Sequence, residues 1–331
     1  MPPHIDIAII GAGLAGVACA RALTAAGRKV VLFDKGRGPG GRTATRRSDA
    51  GRFDHGAPFF TGGNAAIDEA IDRWVREGNA AEWSPRVEGD IDTLLGPAPG
   101  RRMFVGVPGM NALVKTEAAA LDAQFGTRIA PLTDQSPYRL VTDDESVREV
   151  ITADWVVIAT PAEQAMVLTK AVDPSLSAFC DSRKSRAQWS VMAAFDEPLP
   201  IADDVLYPHQ NTIGSAIRDS AKPGRDTGER WVFHATQGFT DEHLEASAEF
   251  VTDAMLSALS TLIGTNVAPR FVTAHRWRYA FGDHQALADA PFGRSDTKTI
   301  ALCGDYFGNG VGVPAAWESG SALAASLIAS T

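Results

Sequence analysis

The chain has 331 residues, 45% hydrophobic and 21% charged, with a formal net charge of -9. That length favours one complex domain or two sharing the chain, and the composition excludes a disordered or fibrous protein. The acidic excess argues against general binding to nucleic acid or an anionic membrane, so an anionic ligand must be met by a local cluster of cations.

At the start of the chain, the run IDIAII (5–10) predicts a buried strand, LAGVACARALTAA a helix closed by Gly27, and KVVLF (29–33) a second strand. Together they form a βαβ unit. Between the first strand and the helix, GAGLAG (11–16) has the form GxGxxG. Gly11 permits the tight turn, Ala12 and Gly13 bring backbone to a pyrophosphate, and Gly16 lets the helix pack on the strand. Asp34, 23 residues after Gly11, ends the second strand, where a carboxylate can hold ribose hydroxyls. The pattern predicts a dinucleotide without saying which.

The next stretch, FDKGRGPGGRTATRR (33–47), holds five basic residues and four glycines. Lys35 lies beside Asp34. Arg42 follows paired glycines, and a planar guanidinium is a group that can meet phosphate bidentately. Arg37 stays open between a solvated cation and a phosphate partner, and Arg46 and Arg47 between ion-paired supports and cations facing a second dinucleotide.

Further along, RMFVG (102–106), DWVVIATP (154–161) and KTIALCGD (298–305) read as strands, and VPAAWESGSALAASLIA as a terminal helix with Pro314 in its first turn. The middle third differs: WSVMAAFDEPLP, RWVFHA and RFVTAHRWRYAF are aromatic strands, and EHLEASAEFVTDAMLSALSTLI an amphipathic helix. The expected fold is α/β. Residues 1–64, 103–165 and 296–331 form a Rossmann-type nucleotide domain of parallel sheet and helices, and 65–102 and 166–295 an inserted mixed-sheet substrate domain.

Cys19, Cys180 and Cys303 lie far apart, with no CxxC pair and no histidine at ligand spacing, which predicts reduced thiols and neither a metal site nor a disulfide framework. The N-terminus lacks the basic start of a signal peptide, and no stretch approaches the roughly 20 apolar residues of a membrane span. A soluble cytoplasmic protein is expected.

Several segments resemble flavoproteins. GRGPGGR (36–42) resembles the loop of the flavin amine oxidase and phytoene desaturase class, in which the arginine meets the FAD pyrophosphate. CGDYFGNGVGVPAAWESG (303–320) resembles the flavoprotein GD segment, which implies Asp305 at the ribityl chain and the backbone of Gly312 and Val313 at the isoalloxazine. VVIATP (156–161) is similar to the strand and turn after the β-meander of that class. FGTRIA (125–130) is similar to the strand whose backbone meets adenine, which implicates Arg128 and Ile129. More narrowly, FDKGRGPGGRTATRR, FDHGAPFFT (53–61), HRWRYA (275–280) and the GD segment look like the bacterial renalase-like FAD-dependent oxidases of the flavin amine oxidase and p-hydroxybenzoate hydroxylase-like superfamily. Asp34 departs from the usual glutamate, and residues 165–270 carry no comparable match.

The resemblance implies non-covalent FAD and oxidation of the 2-dihydro and 6-dihydro isomers of NAD(P)H. Hydride passes to flavin N5, NAD(P)+ leaves, and dioxygen is reduced to hydrogen peroxide. A dihydropyridine nitrogen drives hydride departure by its own lone pair, so no general base is expected, and the chain shows no triad or paired-carboxylate motif. The resemblance also places the backbone of His55, Gly56 and Ala57 at the flavin ring and Phe59, Phe60 and Thr61 along the substrate slot. For Phe59, Phe60, Tyr306 and Trp277, core packing and a slot role are both open. Arg101 and Arg102 could meet the substrate pyrophosphate or be solvated. His275 reads as structural, and His234 and His243 have no distinctive spacing. The sequence sets no preference between NAD and NADP isomers and no oligomeric state.

One rival is an FAD amine oxidase, a class that usually has a lysine linked through water to flavin N5; only Lys298 lies near a nucleotide-domain strand. A second is a flavin-binding protein without turnover. A third, nucleic-acid binding through residues 35–47, would show strongly salt-dependent DNA affinity.

Overall fold

A computed structural model describes residues 3–63, 65–88, 102–133, 136–143, 150–208, 210–282, 290–307 and 312–330. The opening unit is β1 (His4–Ile10), α1 (Leu14–Ala25) and β2 (Val30–Asp34), with Gly27 at φ 84° just past the helix. A hairpin follows, β3 (Thr45–Ser48) with β4 (Gly51–Asp54), and then β5 (Phe60–Thr61), α2 (Ala65–Arg76), β6 (Ala80–Glu82) and β7 (Val87–Glu88). The chain continues through β8 (Met103–Gly106), α3 (Asn111–Ala118), β9 (Ala123–Phe125), β10 (Tyr138–Val141) and β11 (Val150–Ile158) to the helices α4 (Ala162–Thr169) and α5 (Pro174–Asp181). The second half has β12 (Ser185–Phe195), β13 (Val205–Leu206), β14 (Ile213–Arg218), β15 (Glu229–Ala235), α6 (Gln237–Glu242), α7 (Ala248–Ile263) and β16 (Phe271–Gly282). It closes with β17 (Gly293–Arg294), β18 (Ile300–Leu302) and α8 (Val313–Ala329).

The first sheet runs β17-β18-β11-β1-β2-β9, with β10 added on β11. Strands β18, β11, β1, β2 and β9 are parallel, so both faces must be covered. One face packs on α1 and α8, the other on α4 and α5. The second sheet runs β16-β12-β15-β14-β13-β7 and is antiparallel except for the β7–β13 pair. One of its faces buries Trp189, Val191, Trp231 and Phe233 with α7. The other presents Met192, Ala194 and Val232 to Phe53 of the hairpin.

Four placements differ from the sequence reading. β8 is the middle of a small β5-β8-β6 sheet and not a strand of the parallel one. α2, expected in the substrate part, buries Ile67, Ile71 and Trp74 with α8, the Trp74 and Trp317 rings meeting edge to face at 5.1 Å. Its apolar stripe finds cover on α8, and beyond residue 165 α4 and α5 still pack on the parallel sheet. α7 starts at Ala248 and not at Glu242, because the Ser247 side chain accepts from the Phe250 N–H and fixes the helix start there.

The three cysteines are buried and unbridged. Among the described residues no helix is long and apolar enough to cross a membrane, and no cluster of potential ligands could hold a metal ion.

Candidate cofactor and substrate site

The glycine turn is shaped for close backbone approach. Gly11 sits at φ 114°, where a Cβ would lie 2.7 Å from the Ala159 carbonyl, and a Cβ on Gly16 would strike the Gly11 carbonyl. Gly13, the N-cap of α1, is different: a Cβ there would meet nothing within 4 Å, and no side chain caps the helix. Over it lies the second loop, whose Gly41, at φ 52°, would bring a Cβ 3.4 Å from Gly13 Cα, while the Gly40 N–H donates to the Ala12 carbonyl at 3.2 Å. An open, uncapped helix N-terminus under a glycine loop fits a pyrophosphate.

Asp34 is held from two sides. The Ala12 N–H donates to Oδ2 and the Gly36 N–H to Oδ1, both at 2.6 Å, which fixes the carboxylate and leaves lone pairs for hydroxyls. The turn after β9 joins the same corner through Gly126 N–H to the Gly36 carbonyl and Thr127 N–H to the Asp34 carbonyl. Arg128 thereby comes near Lys35, whose pKa is lowered by burial first and by Arg128 second, and Lys35 donates to Gln164 Oε1 at 3.0 Å. Of FGTRIA only Phe125 is strand; Gly126, at φ 68°, turns the chain away, and Ile129 pairs with Thr142 and is buried in the core, so the expected strand is a turn.

Arg42 and Asp305, 263 residues apart, form an ion pair at 2.8 Å, joining the two segments expected at the pyrophosphate and the ribityl chain. The Arg42 carbonyl accepts from the Ala57 N–H at 2.9 Å, and a Cβ on Gly56 would strike that carbonyl. Across the same edge, α8 begins at Gly312 (φ 77°), uncapped by any side chain and with open space at its Cβ, and Val313 is its first residue. A Cβ on Gly320 would strike the Ala15 carbonyl, so α8 lies directly against α1.

Beyond Ala57 the second sheet supplies a wall. Trp277 Nε1 donates to the His55 carbonyl at 2.8 Å, and the His55, His275 and Trp277 rings meet with centroids 4.5–5.1 Å apart. Ser190 stands between His275 and His234 in the strand register, and His234 Nδ1 lies 3.3 Å from Ser215 Oγ. Ser215, His234, Ser190 and His275 thus form a polar row across four strands, with the His234 ring against the His55 and Gly56 backbone. His55 and His234 are pushed down to about 4, chiefly by burial and then by the neighbouring His275 and Lys222 charges respectively; His275 is lowered by burial and by Arg46. The row is therefore neutral near pH 7. Within the protein, His55 Nδ1, His234 Nε2 and Ser190 Oγ are buried without a hydrogen-bond partner, and of the row's rings His275 is the one left half-buried.

Sequence reasoning missed the row's serines and a buried ionic cluster beside it. Asp54 Oδ2 accepts from Lys222 Nζ at 3.1 Å and from Arg225 Nη2 at 2.5 Å, Asp54 Oδ1 accepts from Thr45 and from the Met110 N–H, and Lys222 also reaches Asp219. All four charged side chains are essentially inaccessible. The Asp54 carboxyl is pushed down to about 2, since its two cations and hydrogen bonds outweigh its burial. Only Asp54 lay in a segment with a resemblance; three partners lie in the unmatched middle.

Other expected site residues fare unevenly. Phe59 is half-buried near Trp83, and Thr61 pairs with Met103. Phe60 is a core residue between Trp74 and Phe104, and the Tyr306 ring turns into the core with Phe307, its hydroxyl buried, so neither borders the slot as expected. Arg102 is bound by Glu82 through two hydrogen bonds and covers Phe104, which withdraws it from a substrate phosphate. Arg101 lies outside the described residues.

Residues 9–74 match a family profile described as an NAD(P)-binding Rossmann-like domain, and residues 93–328 match that of the flavin containing amine oxidoreductases. Among solved structures, a protein from Exiguobacterium sp. 255-15 assigned as protoporphyrinogen oxidase is similar at TM-score 0.76 and 16% identity, with both chains fully covered. A putrescine oxidase with bound putrescine is similar at 0.74 and 15%, covering 99% of this chain and 100% of its own. These likenesses concern the fold. The profile spanning most of the chain settles the family: the chain belongs to the flavin containing amine oxidoreductases, α/β proteins with a Rossmann-type domain, and its cofactor is FAD.

Proposed function

We propose that this protein oxidises the 2-dihydro and 6-dihydro isomers of NAD(P)H to NAD(P)+, with dioxygen and one proton consumed and hydrogen peroxide released. One observation carries the reading: the wall beside the His55–Ala57 backbone is neutral and hydrogen-bonding, and the charges that bear on its histidines are the cations Lys222 and Arg46 and, on His55, the enclosed Asp54 carboxylate. Asp54, next to His55, has its carboxylate enclosed by Lys222, Arg225, Thr45 and Met110. A protonated amine gains nothing from such surroundings. A neutral dihydropyridine carrying anionic phosphates is suited to them.

When bound, FAD supplies the hydride acceptor and passes electrons on to dioxygen. The protein's part is position. The Gly11–Gly16 turn, Asp34 and Arg42 would hold the adenosine and pyrophosphate, Asp305 the ribityl chain, and Val313 at the start of α8 the ring edge. Trp277, fixed by its bond to the His55 carbonyl, walls the slot, while the half-buried His275 beside it offers a neutral donor and acceptor to a planar ring. The imidazoles need take no proton, because the substrate nitrogen drives hydride loss itself.

Amine oxidation is the second reading, favoured by the family's description and by likeness to a putrescine oxidase. Lys222 is the buried lysine near the wall, but its ammonium is already shared by two carboxylates. Mixing the protein without air with isomeric dihydronicotinamide dinucleotides and with amines separates the two readings. Bleaching by amines alone would leave the amine oxidase.

A further inference from the structure

Arg46 is exposed on β3 and stands opposite Phe53 on β4. Directly paired residues of an antiparallel ladder project from one face. Phe53 points at the second sheet, its ring stacked on Phe271 of β16 at 5.5 Å, so Arg46 rises on the β16 side of the hairpin. β16 is an edge strand of that sheet, and its face carries His275 and Trp277 beyond Phe271. The charge of Arg46 bears on both His55 and His275, whose rings touch at 4.9 Å, which places it by the mouth of the neutral row.

The other arginines around that corner are engaged. Arg42 holds Asp305, Arg225 holds Asp54, Arg102 holds Glu82, and Arg276 and Arg278 hold Glu245. Arg46 has no carboxylate partner among the described residues, although the chain has an excess of acids. Arg47 projects from the opposite face of the hairpin, with its cross-strand partner Arg52 and near Lys115.

We propose that Arg46 is the residue that reads the substrate's phosphate: its guanidinium donates to the pyrophosphate oxygens next to the nicotinamide ribose while the ring lies along the Trp277 and His275 wall. The assignment rests on the dihydronicotinamide reading above. A guanidinium fits phosphate oxygens in a fork, and an exposed one is screened by salt.

The test compares two substrates on the FAD-loaded enzyme without air: the 6-dihydro isomer of NADH and the phosphate-free riboside of the same dihydropyridine. The concentration dependence of flavin bleaching gives a Kd for each. Arg46 should make the dinucleotide bind tighter than the riboside, and Arg46→Ala should shrink that ratio about tenfold. Arg46→Lys should restore part of it, and Arg47→Ala should leave the ratio unchanged. A ratio equal in wild type and Arg46→Ala overturns the assignment. If Arg46→Ala loses its FAD, salt on the wild type decides: added salt must weaken the dinucleotide and spare the riboside, and equal sensitivity overturns the proposal. If neither compound bleaches the wild type, the functional reading has failed and this assignment falls with it.

Discussion

Two glycines three residues apart in the first turn, Gly13 and Gly16, serve opposite ends, and substitution separates them. Gly16 is closed in by the Gly11 carbonyl, so Gly16→Val must part α1 from β1; a loss of several kcal/mol is expected, read as a lower denaturation midpoint without FAD. Gly13 has open space where the pyrophosphate fits, so Gly13→Val should leave the cofactor-free protein within about 0.5 kcal/mol of wild type yet abolish FAD binding by fluorescence titration. Equal effects at the two positions would contradict this division. These residues were legible because a dinucleotide turn needs glycine at fixed spacing. Phe60 and Tyr306 were not, because an aromatic beside a motif reads alike whether its ring faces a slot or the core, and both rings face the core.

At the scale of elements, the Asp54 cluster ties the loop after β14 to β4 and hence to the backbone of His55–Ala57. Lys222→Met strands the Asp219 carboxylate, already raised by burial, and should cost about 3–5 kcal/mol in chemical denaturation. Adding Asp219→Leu removes the stranded charge and should recover a good part of that loss. No recovery would mean that the cluster acts through something other than its charges. Most elements were readable from period and caps, from the first βαβ unit to α8 behind Pro314. What period could not tell was the partner. A stripe such as Ile67, Ile71 and Trp74 states that one face is buried, and only the fold shows that α8 covers it.

For the molecule as a whole, burial of neutral histidines sets an acid limit. His55 and His234 fall from 6.5 to about 4 on folding, so the unfolded chain binds more protons in that interval. Their contribution is complete above pH 6.5 and declines as pH falls toward 4, by on the order of 3 kcal/mol for each. Asp54 acts in the same sense lower down, between 3.8 and about 2, while Asp219, with its carboxyl raised, opposes it. The midpoint of thermal unfolding should therefore drop markedly between pH 7 and pH 5; a flat profile there would show that the two imidazoles are not buried neutral. The two-part α/β architecture was legible because its parallel strands fall at both ends of the chain and in one piece between, apart from the aromatic strands of the second sheet. The exact division was not, since α2, α4 and α5 are held by tertiary contacts rather than by local signals.

The identity of the hydride donor is read from the visible spectrum of the FAD-loaded protein, without air, before and after one equivalent of the 6-dihydro isomer of NADH. The flavin bands should bleach promptly with an equal amount of NAD+ formed, and putrescine under the same conditions should leave them intact. Bands that persist with the dinucleotide and bleach with the amine would contradict the account.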